Sequence, residues 1–230
     1  AGEYEGLSKK LADADWAPDF GPAKFNPRAG VTAVSARDFL VAYNVNLNST
    51  STRRANAIAY DVREKGRKKR ESISMLAPVV KDANGNDVWE PGSLKCVKGI
   101  GWFIEEYGIA QISMNLTNIT VTPVHVAFDE VVAKAAARGI RVTGSEVVGL
   151  MPLQAVLAAA DHYLAKQGRS LGISDAEKIK IAVKSMGLDE LGPFEPDEKI
   201  IEYVLAKGGP KKLADLTVAG FVHETASESV

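Results

Sequence analysis

The stretch FLVAYNVNLN, residues 39–48, decides the reading of the fold because it has the period of a strand and two chemically different sides. Phe39, Val41, Tyr43, Val45 and Leu47 share one side, while Leu40, Ala42, Asn44, Asn46 and Asn48 share the other, as alternate side chains of a strand must. Asn is depleted from strands, so its recurrence at alternate positions asks for a reason beyond backbone preference. The aliphatic side requires a cover of helices. The amide side requires a polar neighbour or water.

Downstream, TSTRRANAIAYDVREKG (50–66) places Ala55, Ile58, Ala59 and Val62 on one helical stripe, with Ser/Thr before it and Gly66 after it. A connection of about 25 residues follows, long by loop statistics. Its ANGND, flanked by apolar pairs, predicts a protruding hairpin or flexible insertion. LKCVKGIGWFIEEYGIAQISMNLTNIT (94–120) reads as two strands, 95–104 and 109–119, joined by a turn at 106–108 that also holds the acidic Glu105 and Glu106. Thr122 and Pro123 are placed as N-cap and first helical residue of a helix whose stripe is Val124, Ala127, Phe128, Val131 and Ala135, ending at Gly139. IRVTGSEVVGL (140–150) closes the series as a fourth strand. The order β-α-β-β-α-β predicts an α+β, ferredoxin-like sheet with two helices on one face. Helical patterns at 152–166, 175–186 and 197–206, the middle one opened by a Ser174/Glu177 capping box, form a C-terminal helical appendage.

In this order the first and third strands are central neighbours. IAQISMNLT alternates like the first strand, with Ile112, Met114 and Leu116 on one side and Gln111, Ser113, Asn115 and Thr117 on the other. With the aliphatic sides under helices, the bare face presents Asn44, Asn46, Gln111, Ser113 and Asn115 as an uncharged set of donors and acceptors. It is either a solvent-exposed sheet face or a surface that reads a polar ligand or a second sheet. Leu substitutions at Asn46 and Asn115 are expected to weaken ligand binding with little cost to stability.

The remaining features bound the function. A net charge of −1 with 46% hydrophobic and 25% charged residues describes an ordinary globular chain with no general attraction to nucleic acid or membrane. Cys96 is the only cysteine, no apolar run approaches a membrane span, and AGEYEGLSKK lacks a signal peptide's apolar region, so a cytoplasmic location is expected. The first residue is not Met, which raises the expectation of a piece of a longer polypeptide. His125, His162 and His223 are widely spaced and read as solvent-facing, and no grouping has metal-ligand spacing, so no metal is expected. Glycines in KGIGW (98–102) and GSE (144–146) mark bulges or close backbone approach, the bulge being favoured. The basic run REKGRKKRE (63–71) suggests an RNA-binding domain of this strand order, but the central strands carry amides where such domains carry aromatics, so the run reads as a solvated loop. APDFGPAKFNPRAG (17–30) is a stiff extended connection whose Phe20 and Phe25 either stack on a planar ring or serve only a linker.

GEYEGLSKKLADADWAPDFGPAKFNPRAG, RDFLVAYNVNLN, LKCVKGIGWFIEEYGIAQISMNLTNITVTPVHVAFDE and VTGSEVVGLMPLQAVL together resemble the formiminotransferase domain of formimidoyltransferase-cyclodeaminases, nearly end to end. The resemblance implies transfer of a formimino group from N-formimino-L-glutamate to tetrahydrofolate, in histidine degradation, within a tunnel between two sheets. It implies that 1–37 are the tail of an N-terminal subdomain, that 38–207 are the C-terminal subdomain, and that 208–230 are a linker and the start of a cyclodeaminase domain. It makes Pro18, Asp19, Phe20, Gly21, Pro22, Ala23, Lys24, Phe25, Asn26 and Pro27 the folate-contacting segment and the amide face the tunnel lining. Lys24, Arg28 and Arg37 are then candidate partners of ligand carboxylates or, equally, solvated cations. No histidine here matches the family's catalytic one, so the chain alone is expected to be inactive for want of most of the N-terminal subdomain. Expected partners are that subdomain, a cyclodeaminase domain and further copies of the chain. A non-catalytic ligand-binding or assembly module of the same strand order is the alternative.

Overall fold

The computed structural model describes residues 6–72 and 77–207. The chain divides into two compact units, Ala1–Arg37 and Asp38–Val230. In the first, a short helix α1 (Leu7–Lys10) and a 3-10 turn (Ala14–Trp16) precede an extended segment without regular structure. Asp13 caps the 3-10 turn by accepting from the Asp15 N–H, and Lys10 lies over the Trp16 ring.

The second unit is built on β1 (Val41–Leu47), α2 (Thr52–Val62), the short strands β2 (Arg67–Lys68) and β3 (Trp89–Glu90), β4 (Val97–Ile104), β5 (Ile109–Leu116), α3 (Val124–Ala136) and β6 (Val142–Val148). Helices α4 (Leu153–Lys166), α5 (Asp175–Met186), α6 (Pro196–Lys199) and α7 (Ile201–Ala206) follow. The main sheet has the order β4-β5-β1-β6 with every neighbouring pair antiparallel. β1 and β5 are therefore the central pair, in the register that sets Asn46 opposite Gln111 and Asn44 opposite Ser113.

Val41, Tyr43, Val45 and Leu47 of β1 join Ile112, Met114 and Leu116 of β5 under the buried stripes of α2 and α3, each helix using the residues its period predicts. α2 begins at an Ser51 cap that accepts from the Arg54 N–H. It can lie close on β4 because Gly101 has no side chain: a Cβ there would stand 2.2 Å from the Asn56 nitrogen. Asn56 Oδ1 instead accepts the Gly101 N–H at 3.0 Å. Close approach, rather than a bulge, is the reason for this glycine. α4 packs on α3 and α5 on α4, and the Ser174/Glu177 capping box is present.

Several boundaries depart from expectation. Pro123 is the N-cap of α3, while the Thr122 hydroxyl donates to the Lys95 carbonyl and ties the helix entry to the chain before β4. β5 stops at Leu116 because Asn118 turns the backbone, its Oδ1 accepting from the Thr120 N–H. The pattern 197–206 splits into α6 and α7 at Ile200, which leaves helical geometry to form a parallel bridge with Met151 and is fully buried. The long connection is a ribbon: β2 pairs with β3, Lys81 bridges Asp87, and Asp82 Oδ1 accepts from the Asn84 and Asn86 N–H groups at the tip. The basic run is correspondingly not a loose loop. Arg67 pairs with Asp61 at 2.5 Å, Lys68 with Asp87 at 2.6 Å, and Arg63 lies over Tyr60 while donating to the carbonyls of Gly66 and Gly99. The expected linker at 208–212, and Val218, Phe221, Val222 and His223, lie outside the described residues.

Candidate functional site

The face of the main sheet away from α2 and α3 carries Ala42, Asn44 and Asn46 from β1, Gln111, Ser113 and Asn115 from β5, Lys98, Ile100 and Trp102 from β4, and Gly144, Glu146 and Val148 from β6. Its rim is exposed: Ile100 and Val148 keep about half of their surface. Its centre is not. Asn46 and Gln111 are fully buried and Asn44 nearly so, so the centre is not solvent-exposed, one of the two readings that the sequence left open.

A chain of hydrogen bonds runs through this buried centre and joins all four strands. Trp102 Nε1 donates to Gln111 Oε1 at 3.2 Å, Gln111 Nε2 donates to Asn46 Oδ1 at 2.7 Å, and Asn46 Nδ2 donates to Glu190 Oε2 at 2.7 Å. A branch runs to β6, where Glu146 Oε1 accepts from Gln111 Nε2 at 3.0 Å and from Asn44 Nδ2 at 2.9 Å. The direction of the chain is fixed at both ends, since an indole only donates and a carboxylate only accepts. Each amide is thereby held in one orientation, and both protons of the Gln111 amide are used.

Glu190 reaches the face through a pair of glycines. The C-cap of α5 is Gly187 in the left-handed conformation, with φ 59°, which turns the chain toward β6. Its carbonyl accepts the Ser145 N–H at 2.9 Å. Opposite Asn46 the residue is Gly144, where a Cβ would lie 2.4 Å from Glu190 Oε2 and 2.7 Å from the Gly187 carbonyl. The register also shifts between Asn46 and Leu47, so here a bulge and a close approach coincide. On the helix side the neighbouring Ser145 accepts from the buried Tyr43 hydroxyl at 2.8 Å and donates to the Met186 carbonyl at 2.7 Å.

Of the predicted face residues, Asn44, Asn46 and Gln111 are brought into one network, Ser113 lies beside it half-buried, and Asn115 stands exposed outside it. Trp102, Glu146 and Glu190 were missed. Strand alternation carried a signal for the first two, which share the parity of the amide face, but none for Glu190, which arrives from 144 residues away. Pro18 to Pro27 belong to the first unit: Phe20 is 94% exposed, Lys24 N–H donates to the Pro22 carbonyl, and Asn26 Oδ1 caps a turn by accepting from the N–H groups of Arg28 and Ala29.

Of the two described histidines, His125 is not solvent-facing and His162 is half-buried. His125, on α3, is buried and stacks on His162 of α4 with ring centroids 4.5 Å apart. His162 Nε2 lies 2.9 Å from Asp129 Oδ2, and the same carboxyl accepts from Lys166 Nζ at 2.7 Å and the Tyr163 hydroxyl at 3.1 Å. Burial opposes charge on Asp129, but the hydrogen bonds from Lys166 and His162 outweigh it and hold its carboxyl below the ordinary range. Burial, reinforced by the neighbouring His162, lowers His125 from 6.5 to about 4. Both rings are carried by the helices, on the side of the sheet opposite the amides. Among the described residues no group of three or more His, Cys, Asp or Glu is placed to hold a metal ion.

The lowered His125 has a consequence for stability. The unfolded chain takes up a proton as pH falls through 6.5, whereas the folded chain resists until about 4, so stability is full above 6.5 and is lost between these values. Allowing for solvent screening, the loss is expected to be ~2 kcal/mol. Urea denaturation of the protein and of His125→Phe at several pH values from 7 to 4 measures it. The variant should lack this component, and identical slopes in both would remove His125 as its source.

The arrangement defines a class: an antiparallel α/β sheet domain that covers one face with helices and builds the other from oriented amides and carboxylates. The chain belongs to the formiminotransferase domain family. The model described as Formiminotransferase domain matches residues 42–206, and that described as Formiminotransferase domain, N-terminal subdomain matches residues 1–37. The second match leaves the expected absence of the N-terminal subdomain, and the inactivity drawn from it, without support.

The chain is 44% identical over 223 residues to the formimidoyltransferase-cyclodeaminase of Dictyostelium discoideum, covering 96% of this chain and 38% of that protein. It is 42% identical over 230 residues to the formimidoyltransferase-cyclodeaminase of Mus musculus, covering all of this chain and 39% of that one. With the glutamate formimidoyltransferase of Streptococcus pyogenes serotype M1 it shares 37% identity over 163 residues, 71% of this chain and 46% of the relative. The chain thus matches less than half the length of each of these relatives.

Proposed function

We propose that this chain is part of a folate-dependent transferase that moves the formimino group of N-formimino-L-glutamate to tetrahydrofolate as co-substrate. The observation that carries the reading is the oriented amide and carboxylate face, found in a chain of the formiminotransferase family. Asn44, Asn46, Gln111, Ser113 and Asn115 would line the substrate surface, and Pro18 to Pro27 would contact the folate. The fold is best described as ferredoxin-like, since β1, α2, β4, β5, α3 and β6 follow the split-βαβ order. We assign 1–37 to the N-terminal subdomain, 38–207 to the C-terminal one and 208–230 to a connection toward a cyclodeaminase-like domain, in the cytoplasm and in a homo-oligomer.

The chemistry asks two things of such a face. Attack of the folate amine on the formimino carbon requires the two reacting groups to be held in one geometry, and a fixed set of donors and acceptors does this without reorganising during the reaction. It also requires a proton to leave the attacking amine and one to reach the departing glutamate amine. His125 and His162 lie on the helix side and do not serve this step. The test is formation of 5-formimino-tetrahydrofolate from N-formimino-L-glutamate and tetrahydrofolate, by the purified chain alone and with the N-terminal subdomain of a relative added. Product in either mixture, reduced tenfold or more by Asn115→Leu, is the expected result.

A second reading, a non-catalytic binding module, is favoured by one observation: the central amides already satisfy one another. Ligand binding without product in both mixtures would select it.

A further inference from the structure

Beside the amide network lies a cavity of about 180 Å³, walled by Tyr107, Leu188, Leu191 and Phe194 and carrying one carboxylate, Glu146, and one ammonium, Lys199. Its size is below the several hundred Å³ of sites for drug-sized ligands and suits a molecule of amino-acid size. We propose that this cavity is the subsite for the N-formimino amino acid, with Glu146 as the residue that selects the cationic formimino group. The inference rests on the transferase reading and assigns one of its two substrates a seat.

Three observations carry it. Glu146 is aimed by neutral donors: Asn44 Nδ2 and Gln111 Nε2 both bond Oε1, at 2.9 Å and 3.0 Å. Glu146 is only half-buried, so the carboxylate stays within reach of a ligand. Lys199 is fixed on another wall by donating Nζ to the Val147 carbonyl at 3.1 Å, and its remaining protons are available to a ligand carboxylate. Leu188, Leu191, Pro193 and Phe194 add apolar surface for the methylene groups of such a ligand.

A carboxylate and an ammonium in one small cavity match a ligand that carries a planar N–C–N cation and a carboxylate. N-formimino-L-glutamate is such a molecule, whereas tetrahydrofolate separates its uncharged pterin from its glutamate carboxylates by an aromatic linker and is too large to present both to this cavity. A carboxylate beside an amidine also favours its protonated form, the form whose carbon accepts a nucleophile. Glu146 is therefore a specificity-determining residue that prepares the formimino group, and no proton transfer is assigned to it.

The experiment measures binding to the full chain by calorimetry for N-formimino-L-glutamate and for N-formyl-L-glutamate, a near-isosteric analogue without the cation. The protein should prefer the formimino compound tenfold or more. Glu146→Gln keeps an oxygen for Asn44 and Gln111 and should abolish that preference while leaving N-formyl-L-glutamate affinity unchanged. Lys199→Met should weaken both ligands alike and leave formamidine binding intact. The preference surviving in Glu146→Gln, or no binding of either glutamate derivative by the folded protein, overturns the proposal. A Glu146-dependent preference in a protein that makes no 5-formimino-tetrahydrofolate keeps this subsite and rejects the transferase reading. Turnover that Glu146→Gln slows equally for every concentration of the formimino substrate, with its KM unchanged, keeps the transferase reading and rejects the subsite.

Discussion

Replacing Gln111 by Leu is expected to cost about 3 kcal/mol of folding stability, the sum of several broken buried hydrogen bonds rather than one. Gln111 is fully buried and bonds three other residues of the face: it accepts from Trp102 and donates to Asn46 and Glu146. Leu fills a similar volume but leaves the Trp102 indole N–H and the Asn46 carbonyl oxygen without partners, and Glu146 with one donor fewer. The same change at the exposed Asn115, which stands outside the network, should move stability by less than about 0.5 kcal/mol. Urea midpoints of the two variants make the comparison. A Gln111→Leu protein as stable as Asn115→Leu would mean that the central amides are hydrated and replaceable. Asn46→Leu should fall near the Gln111 result, which revises the expectation that substitution on this face spares the fold.

Gly101→Val is expected to be strongly damaging although it lies outside the network. A Cβ at this position would meet backbone, at 2.2 Å from the Asn56 nitrogen and 2.3 Å from the Ala55 carbonyl carbon, so no side-chain rotation can relieve it. α2 would have to lift from β4, exposing part of the stripe Ala55, Ile58, Ala59 and Val62 and breaking the Asn56 bond to the Gly101 N–H. Overpacking costs 1–3 kcal/mol where side chains can yield, and here about 4 kcal/mol is expected because they cannot. Gly108→Asn is the contrast. It lies in a turn with φ 63° and nothing within 4 Å, a conformation that Asn tolerates, so the loss should stay below about 1 kcal/mol. Thermal unfolding of both variants distinguishes a packing glycine from a turn glycine. Equal losses would remove the close approach of α2 as the reason for Gly101.

These two residues also mark how far the sequence could be read. The β-α-β-β-α-β order paired β1 with β5, and the alternation of FLVAYNVNLN and IAQISMNLT put Asn44, Asn46 and Gln111 on one face, because side-chain direction in a strand depends only on position parity. Parity could not say whether that face was wet. The answer depends on Glu190, which reaches Asn46 only because Gly187 turns left-handed and Gly144 leaves room, a coincidence of distant residues that no local period encodes. The histidines failed for a related reason. His125 and His162 sit on the flanks of their helices' apolar stripes, where periodicity does not decide exposure, and the packing of α3 on α4 stacks them. The helix at 197–206 broke at Ile200 because a bridge to Met151 outweighed local propensity.

The central claim, that the amide and carboxylate face is where the substrates bind, is tested most directly by the side-chain N–H resonances of Trp102, Asn44, Asn46 and Gln111 during titration with tetrahydrofolate and N-formimino-L-glutamate. These protons are the network itself, and their shifts report any ligand that bonds to it or displaces a member. The account predicts saturable shifts at Trp102 and Gln111 together with Asn44 or Asn46, and none at the His125–His162 stack. Shifts confined to the helix side, or an unperturbed network at ligand saturation, would contradict it.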